Sequence, residues 1–357
     1  MTIAVLTSGV ALGVHVPGLL LARRLAEAGV RARVDVLERH LPEARRDLIP
    51  ESKVAFHRDF RVALAGQRLA RRNPAELAED SVSALLAEWE DEQVDLLVVL
   101  SGFWLPAVRR YASARAGVRV HACHVDSTAS PSFRSAGWTA SAQERHEDVW
   151  LLEQNAGGVA TTIPVSRAEP VPWSARNGRL LAHGGGWGMG TYRSDAADLT
   201  SEGFALDLVA YEWADVVRGD DRNRYFMIDP AWHPWHDDGF PPFGRVAADG
   251  RVDYRRREDH HDGFDLTREA IAVVSKPGGG TLMDSLSSAT PVVLLKPFGE
   301  HEARNAQLWE RLGFGISYPH WVAGGKSLAV LEGLHRNLLA ARPRALSYPD
   351  RLAGLST

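Results

Sequence analysis

Short runs of consecutive apolar residues alternate along this chain with longer stretches in which apolar positions recur every three or four residues. The first run, residues 2–9 (TIAVLTSG), is β-branched and aliphatic and ends in glycine, the pattern of a strand buried on both faces. Residues 17–28 are predicted as a helix, with Pro17 in its first turn and Gly29 just past its end. RARVDVLE (31–38), VDLLVVLSG (94–102) and VRVHACHV (118–125) read as further strands, and residues 75–92 and 105–116 as helices. Apolar strands alternating with helices of about a dozen residues imply a parallel sheet covered on both sides. Residues 155–178 lose this periodicity and are rich in Pro, Gly, Ser and Ala. A second alternating block follows. Its predicted strands are RLLAH (179–183), RYFMID (224–229), IAVVSK (271–276) and PVVLLKP (291–297); its helices span 202–216, 281–289, 301–312 and 327–341.

The expectation is an α/β protein of two Rossmann-like, doubly wound parallel-sheet domains facing a cleft. The first spans 1–165, a linker 166–178, the second 179–341 and a tail 342–357. In such sheets ligands sit beyond the carboxyl ends of the strands, so chemistry is expected on the loops there.

Composition narrows the function. A length of 357 residues suits two domains, and 45% hydrophobic with 24% charged residues excludes a disordered or fibrous chain. A net charge of −4 supplies no field to recruit nucleic acid or an anionic membrane. The amino end lacks a basic segment before an apolar one, and no window of about 18 apolar residues occurs; a cytoplasmic protein without a membrane span is expected. The single cysteine, Cys123, excludes an internal disulfide and a cysteine-based zinc site. Only four lysines occur, and Lys276 and Lys296 flank the strongest motif.

That motif occupies residues 271–315. A strand runs through Lys276 and Pro277 into Gly278, Gly279 and Gly280, and Thr281 opens a helix as its N-cap or first residue. Glycines let a phosphate approach the backbone, and a helix amino terminus offers unpaired N–H groups and partial positive charge. Asp284, three residues past Thr281, is either a capping-box partner or a ribose-hydroxyl acceptor. A second strand ends at Pro297, followed by Phe298-Gly299-Glu300-His301-Glu302 and then Asn305-Ala306.

This order and spacing resembles the C-terminal domain of the GT-B nucleotide-sugar glycosyltransferases, in particular the lipid II-forming N-acetylglucosaminyltransferase group and, more distantly, the plant and antibiotic UDP-glycosyltransferases. The shared positions are Gly279, Gly280, Thr281, Asp284, Pro291, Pro297, His301, Glu302, Asn305 and Ala306. The resemblance implies that Gly278, Gly279, Gly280 and Thr281 face a diphosphate, Asp284 a ribose, and Glu300, His301 and Glu302 a donor sugar. It departs from the family at Glu302, where Gln is usual, at Asp284, where Glu is commoner, and at Lys276, which stands near where many UDP-dependent relatives have His.

HGGGWGMGTYR (183–193) follows a strand, and its glycines point to a second phosphate-facing loop containing Gly185, Gly186 and Trp187, with Arg193 in reach. In TSGVALGVHVPGL (7–19), Gly13 lies on the loop and His15 is a candidate general base, since its ordinary pKa is near neutrality. Relatives carry a His three residues before the proline; here His15 is two before Pro17. Ser101, Phe103, Trp104 and His124 follow first-domain strands and are expected at an acceptor pocket, with Asp126 as an alternative base. The stretch 232–244 offers His233, His236, Asp237 and Asp238, whose spacing fits no metal template; His260, His261 and Asp262 read as solvated.

The resulting expectation is transfer of a sugar from a nucleotide-diphosphate donor, UDP by resemblance, to a small soluble acceptor. Neither a metal nor a further cofactor is expected. The alternatives are a nucleotide-sugar hydrolase or 2-epimerase, or an auxiliary protein with a degenerate donor site.

Overall fold

The computed structural model describes residues 1–72, 76–138, 146–155, 158–217 and 221–355; residue 75 of an expected helix, 156–157 before the expected linker and 356–357 of the tail lie outside them. Five parallel strands form the first sheet: β1 (Thr2–Thr7), β2 (Arg31–Val36), β3 (Val94–Val99), β4 (Arg119–His124) and β5 (His146–Trp150), in the order β2-β1-β3-β4-β5. Ile3, Val5, Leu96 and Val98 are fully buried, as double-sided cover requires.

The second sheet has seven strands: β6 (Leu180–His183), β7 (Leu206–Ala210), β8 (Arg224–Ile228), β9 (Phe243–Arg245), β10 (Ala272–Ser275), β11 (Val292–Leu294) and β12 (Gly315–Ser317). Their order is β9-β8-β7-β6-β10-β11-β12, and all pairs are parallel except the edge pair β8–β9. The order reverses between β1 and β3 in the first lobe and between β6 and β10 in the second.

The helices that matter to the site are α1 (Leu12–Glu27), α2 (Ile49–Arg58), α3 (Phe60–Arg72), α4 (Gly279–Ser288), α5 (Glu300–Leu312) and α6 (Tyr348–Gly354). One buried apolar cluster crosses between the lobes, joining Leu19 and Leu20 of α1 to Leu282, Met283 and Leu286 of α4.

Several elements differ from expectation. α1 begins five residues earlier than predicted, so Pro17 lies inside it and is buried. Residues 202–216 are not a helix: a helix at Tyr192–Ser201 precedes them and β7 runs through their middle. The LDLVA run is short and apolar except for Asp207, which Arg179 and Arg224 neutralise, a pattern that periodicity alone cannot assign. The segment expected as a tail folds back instead. Leu346–Ser347 pairs with Thr161–Thr162, and Tyr348 at the start of α6 places its hydroxyl 2.9 Å from His121 Nδ1 in the first lobe. No helix among the described residues is long and apolar enough to cross a membrane.

Candidate functional site

The carboxyl ends of both sheets open on one cavity of about 640 Å³. The first lobe lines it with the loop after β1, the inward face of α1, Ser101, Phe103 and Asp126; the second with the loop after β6, Lys276, the start of α4, Asp284, Phe298, His301 and Glu302.

Glu38 shapes the first-lobe loop. Its buried carboxylate accepts the Ser8 hydroxyl at 2.7 Å, the Gly9 N–H at 2.6 Å and the Val10 N–H at 3.1 Å. Burial pushes its pKa up and these bonds oppose the rise. α1 then presents Gly13 and Val14 to the cavity. His15, expected as the cavity-facing base, is not there. Successive helix positions are turned by about 100°, so a one-residue offset aims the side chain elsewhere. The ring is fully buried, its Nδ1 3.1 Å from the Thr7 hydroxyl, and its Nε2 has no partner among the described residues. Burial, with Arg39 adding to it against Asp238, pushes its pKa down to about 4.

Asp126 does line the cavity. Its Oδ1 accepts from Asn305 Nδ2 at 2.7 Å; the same amide nitrogen donates to the Pro277 carbonyl, while Asn305 Oδ1 accepts the Ser127 N–H and hydroxyl at 2.8 and 2.9 Å. Asn305 thus fastens the second lobe to the first through Asp126 and Ser127, and its bond to Pro277 anchors the amide within its own lobe. Burial raises the Asp126 pKa, and His301 and Asn305 pull it back.

α4 starts at Gly279 with Gly278 as its N-cap, so Thr281 is neither cap nor first residue. Gly280 and Thr281 line the cavity beside the helix amino end. Gly279 also serves the seam between lobes: a Cβ there would stand 2.2 Å from the Val125 carbonyl oxygen. Asp284 makes no capping box; its Oδ1 is 3.1 Å from His261 Nε2. His261, expected to be solvated, therefore belongs to the cavity wall, and His260 is buried between Asp259 and Asp265 at 2.9 and 3.1 Å. Lys276 and Glu302 form a buried ion pair through Nζ and Oε1, and Glu302 Oε2 accepts the Phe298 N–H at 2.6 Å.

Gly185, Gly186 and Trp187 line the cavity, and Phe56 of α2 stacks on Trp187 with ring centroids 5.4 Å apart. Beside that stack, His57 bridges the Gly188 carbonyl at 2.7 Å and Asp215 at 3.0 Å. Two side chains of this region that sequence reading left out, His183 and Tyr211, also face the cavity; the Tyr211 hydroxyl donates to the Gly185 carbonyl. His183 ends a strand just before a glycine run, which was the signal available for it.

Four other expected site residues fall outside the cavity wall. Trp104 is buried with its Nε1–H donated to the Thr7 carbonyl, 2.7 Å away. His124 is 2.9 Å from Asp148 and stacks on Trp150. Arg193 binds Asp215 at 2.9 Å and the His57 carbonyl at 3.1 Å. Glu300 forms an exposed cross-lobe ion pair with Arg134 at 3.0 Å. In the 232–244 stretch, Asp237 pairs with Arg256 and Asp238 with Arg39, which uses those carboxylates as structural partners.

The sequence matches no family model. No curated protein matches it by sequence. Comparison of structures does find relatives across the whole chain. The glycosyltransferase SsfS6 of Streptomyces sp. SF2575, complexed with thymidine diphosphate, aligns with a TM-score of 0.58 at 16% identity, covering 100% of this chain and 99% of its own. The spinosyn rhamnosyltransferase SpnG aligns with a TM-score of 0.58 at 14% identity over 99% of both chains. MurG of Acinetobacter baumannii gives 0.55 at 12% identity, over 99% of both chains. The architecture of this chain is thus the two-lobed GT-B fold that these glycosyltransferases share.

Proposed function

We propose that the protein transfers a sugar from a nucleoside-diphosphate donor, held by the second lobe, to a small-molecule acceptor held against the first. The observation that carries this is the grouping, at one cavity wall, of the amino end of α4 with Gly278, Gly280, Thr281, Lys276 and Asp284. Unpaired first-turn N–H groups and the helix dipole stabilise charge that develops on a leaving diphosphate, with Lys276 beside them and no metal required in this reading. Asp284 accepts a ribose hydroxyl. His301 and Glu302 face the transferred sugar. Asp126 takes the acceptor's proton in a pocket that Gly13, Ser101 and Phe103 line. Two of the structural relatives, SsfS6 and SpnG, bind thymidine diphosphate, while the sequence motif favours UDP; both are pyrimidine donors with the same diphosphate.

Thermal-shift measurements with UDP, TDP, GDP and CMP test the reading. A ligand bound to the folded state alone raises its stability by mass action. At least one nucleoside diphosphate is expected to raise the melting temperature well above what CMP achieves. The Asp284→Ala protein should bind that nucleotide about 10- to 100-fold more weakly, the scale of an unpaired polar contact. No shift with any nucleoside diphosphate would refute the donor site. Sugar release without an acceptor would assign the cavity to hydrolysis instead.

A further inference from the structure

We infer that His183 donates a hydrogen bond from Nε2–H to a diphosphate oxygen of the bound nucleotide, an inference that rests on the donor-site reading above. β6 and β10 run side by side in register, with His183 opposite Ser275. They flank the point where the strand order of the second sheet reverses. Ligands of open α/β sheets settle in the crevice beyond the strands at that point.

The ring is oriented by its surroundings. The Gly185 N–H donates to His183 Nδ1 at 3.1 Å, which makes that nitrogen an acceptor and places the proton of the neutral ring on Nε2. His183 lines the cavity, and its Nε2 bonds to no described residue yet is not among the fully enclosed unpartnered atoms. That N–H is therefore left open, on a side chain that belongs to the cavity wall. Burial keeps the ring neutral by pushing its pKa down to about 4, opposed by Asp284 and aided by Lys276 and His261.

The corner selects phosphate over a hydroxyl. A Cβ on Gly185 would lie 3.2 Å from Lys276 Nζ, so the loop after β6 and Lys276 share one corner, and the chain leads from there through Pro277 to the start of α4. Glu302 already neutralises Lys276. What remains for a ligand is a set of N–H donors with little net charge, matched to oxygens that only accept. A ribose hydroxyl, which both donates and accepts, is better served by Asp284.

The test is calorimetric titration of TDP and of UDP into the wild type, His183→Ala and His183→Gln. His183→Ala should weaken the diphosphate by about tenfold, the usual effect of one lost bond to a charged group. His183→Gln keeps an N–H donor and should recover most of the affinity. The ratio of wild type to His183→Ala should stay constant between pH 5.5 and 8, since a ring with a pKa of about 4 does not titrate there. Thymidine, titrated at millimolar concentration, should bind all three proteins alike. Equal TDP affinity in a folded His183→Ala protein overturns the inference, as does an equal loss for thymidine. Should His183→Ala fail to fold, His183→Leu replaces it, filling the volume without a donor. If the wild type binds no nucleoside diphosphate, the donor-site reading itself falls, an outcome separate from wild-type binding that the variants leave unchanged.

Discussion

Asp126 is the carboxylate that the first lobe contributes to the cavity wall among the described residues, and one hydrogen bond from Asn305 fixes its orientation. Because burial raises its pKa, it holds a proton more readily than an ordinary aspartate, which suits a group that must take one from an acceptor hydroxyl. Asp126→Asn keeps the shape and removes the basicity. Turnover should fall on the order of 10²-fold while the affinity for the donor nucleotide stays within about twofold. Undiminished kcat would take Asp126 out of proton transfer. The competing candidate, His15, shows how single positions resist sequence reading: a histidine near a cleft is legible, but the side it faces depends on a one-residue helical phase. Val14 occupies the cavity-facing position and His15 the core. Lys276, Thr281 and Asp284 were legible because motif spacing places them on a loop and a helix start, where phase matters less. His261 was not, since its partner Asp284 lies 23 residues away and only the fold brings them together.

At the scale of elements, α4 carries two duties that the glycine run does not separate on its face. Gly278, Gly279 and Gly280 all border the cavity, and Gly279 in addition lets α4 approach the loop after β4. A methyl group at 279 meets a backbone carbonyl rather than a flexible side chain, so one lobe must move. Gly279→Ala should cost about 1–3 kcal/mol of stability, as overpacking does, and loosen the Asp126–Asn305 contact. Denaturant melts of this variant beside Gly278→Ala, whose added methyl meets only side-chain atoms at 3.5 Å or more, measure it. Equal stability of the two would dissolve the distinction. The strands that frame the cavity were readable from their continuous apolar runs. β7 was not, because a five-residue segment that is apolar except for Asp207, beside Phe204 and Tyr211, also fits a buried helix. α2 and α3 carry little strand-like or motif signal, so the chain gave no warning that Phe56 and His57 would reach across to the second lobe.

Across the whole molecule, polar contacts join the two lobes alongside the shared apolar cluster. Arg24 of α1 pairs with Asp259, Asn305 ties Asp126 and Ser127, and α6 returns to the first sheet. The general architecture was legible from alternation; this closure was not, since none of these pairs is near in sequence. His15, buried beside the seam, and His183, half-buried at the cavity wall, both have their folded pKa pushed down to about 4 by loss of solvation, against 6.5 when exposed. The sign follows from proton binding. Below pH 6.5 the unfolded chain takes up protons that the folded rings refuse, so stability falls with falling pH until about pH 4 and then levels off for these groups. Each ring contributes about 3 kcal/mol to that loss. Asp35, Glu38 and Asp126 act in the opposite sense, because burial raises their pKa values and favours the folded state as pH falls. The histidine contribution is therefore read from a difference. Urea melts of wild type and His15→Gln, taken from pH 7.5 to 4.5, should diverge steadily below pH 6.5, with the wild type losing more, because glutamine does not titrate. Parallel curves would mean that the His15 ring takes up its proton as easily in the folded protein as in the unfolded chain, and that the space around α1 is wetter than its burial requires.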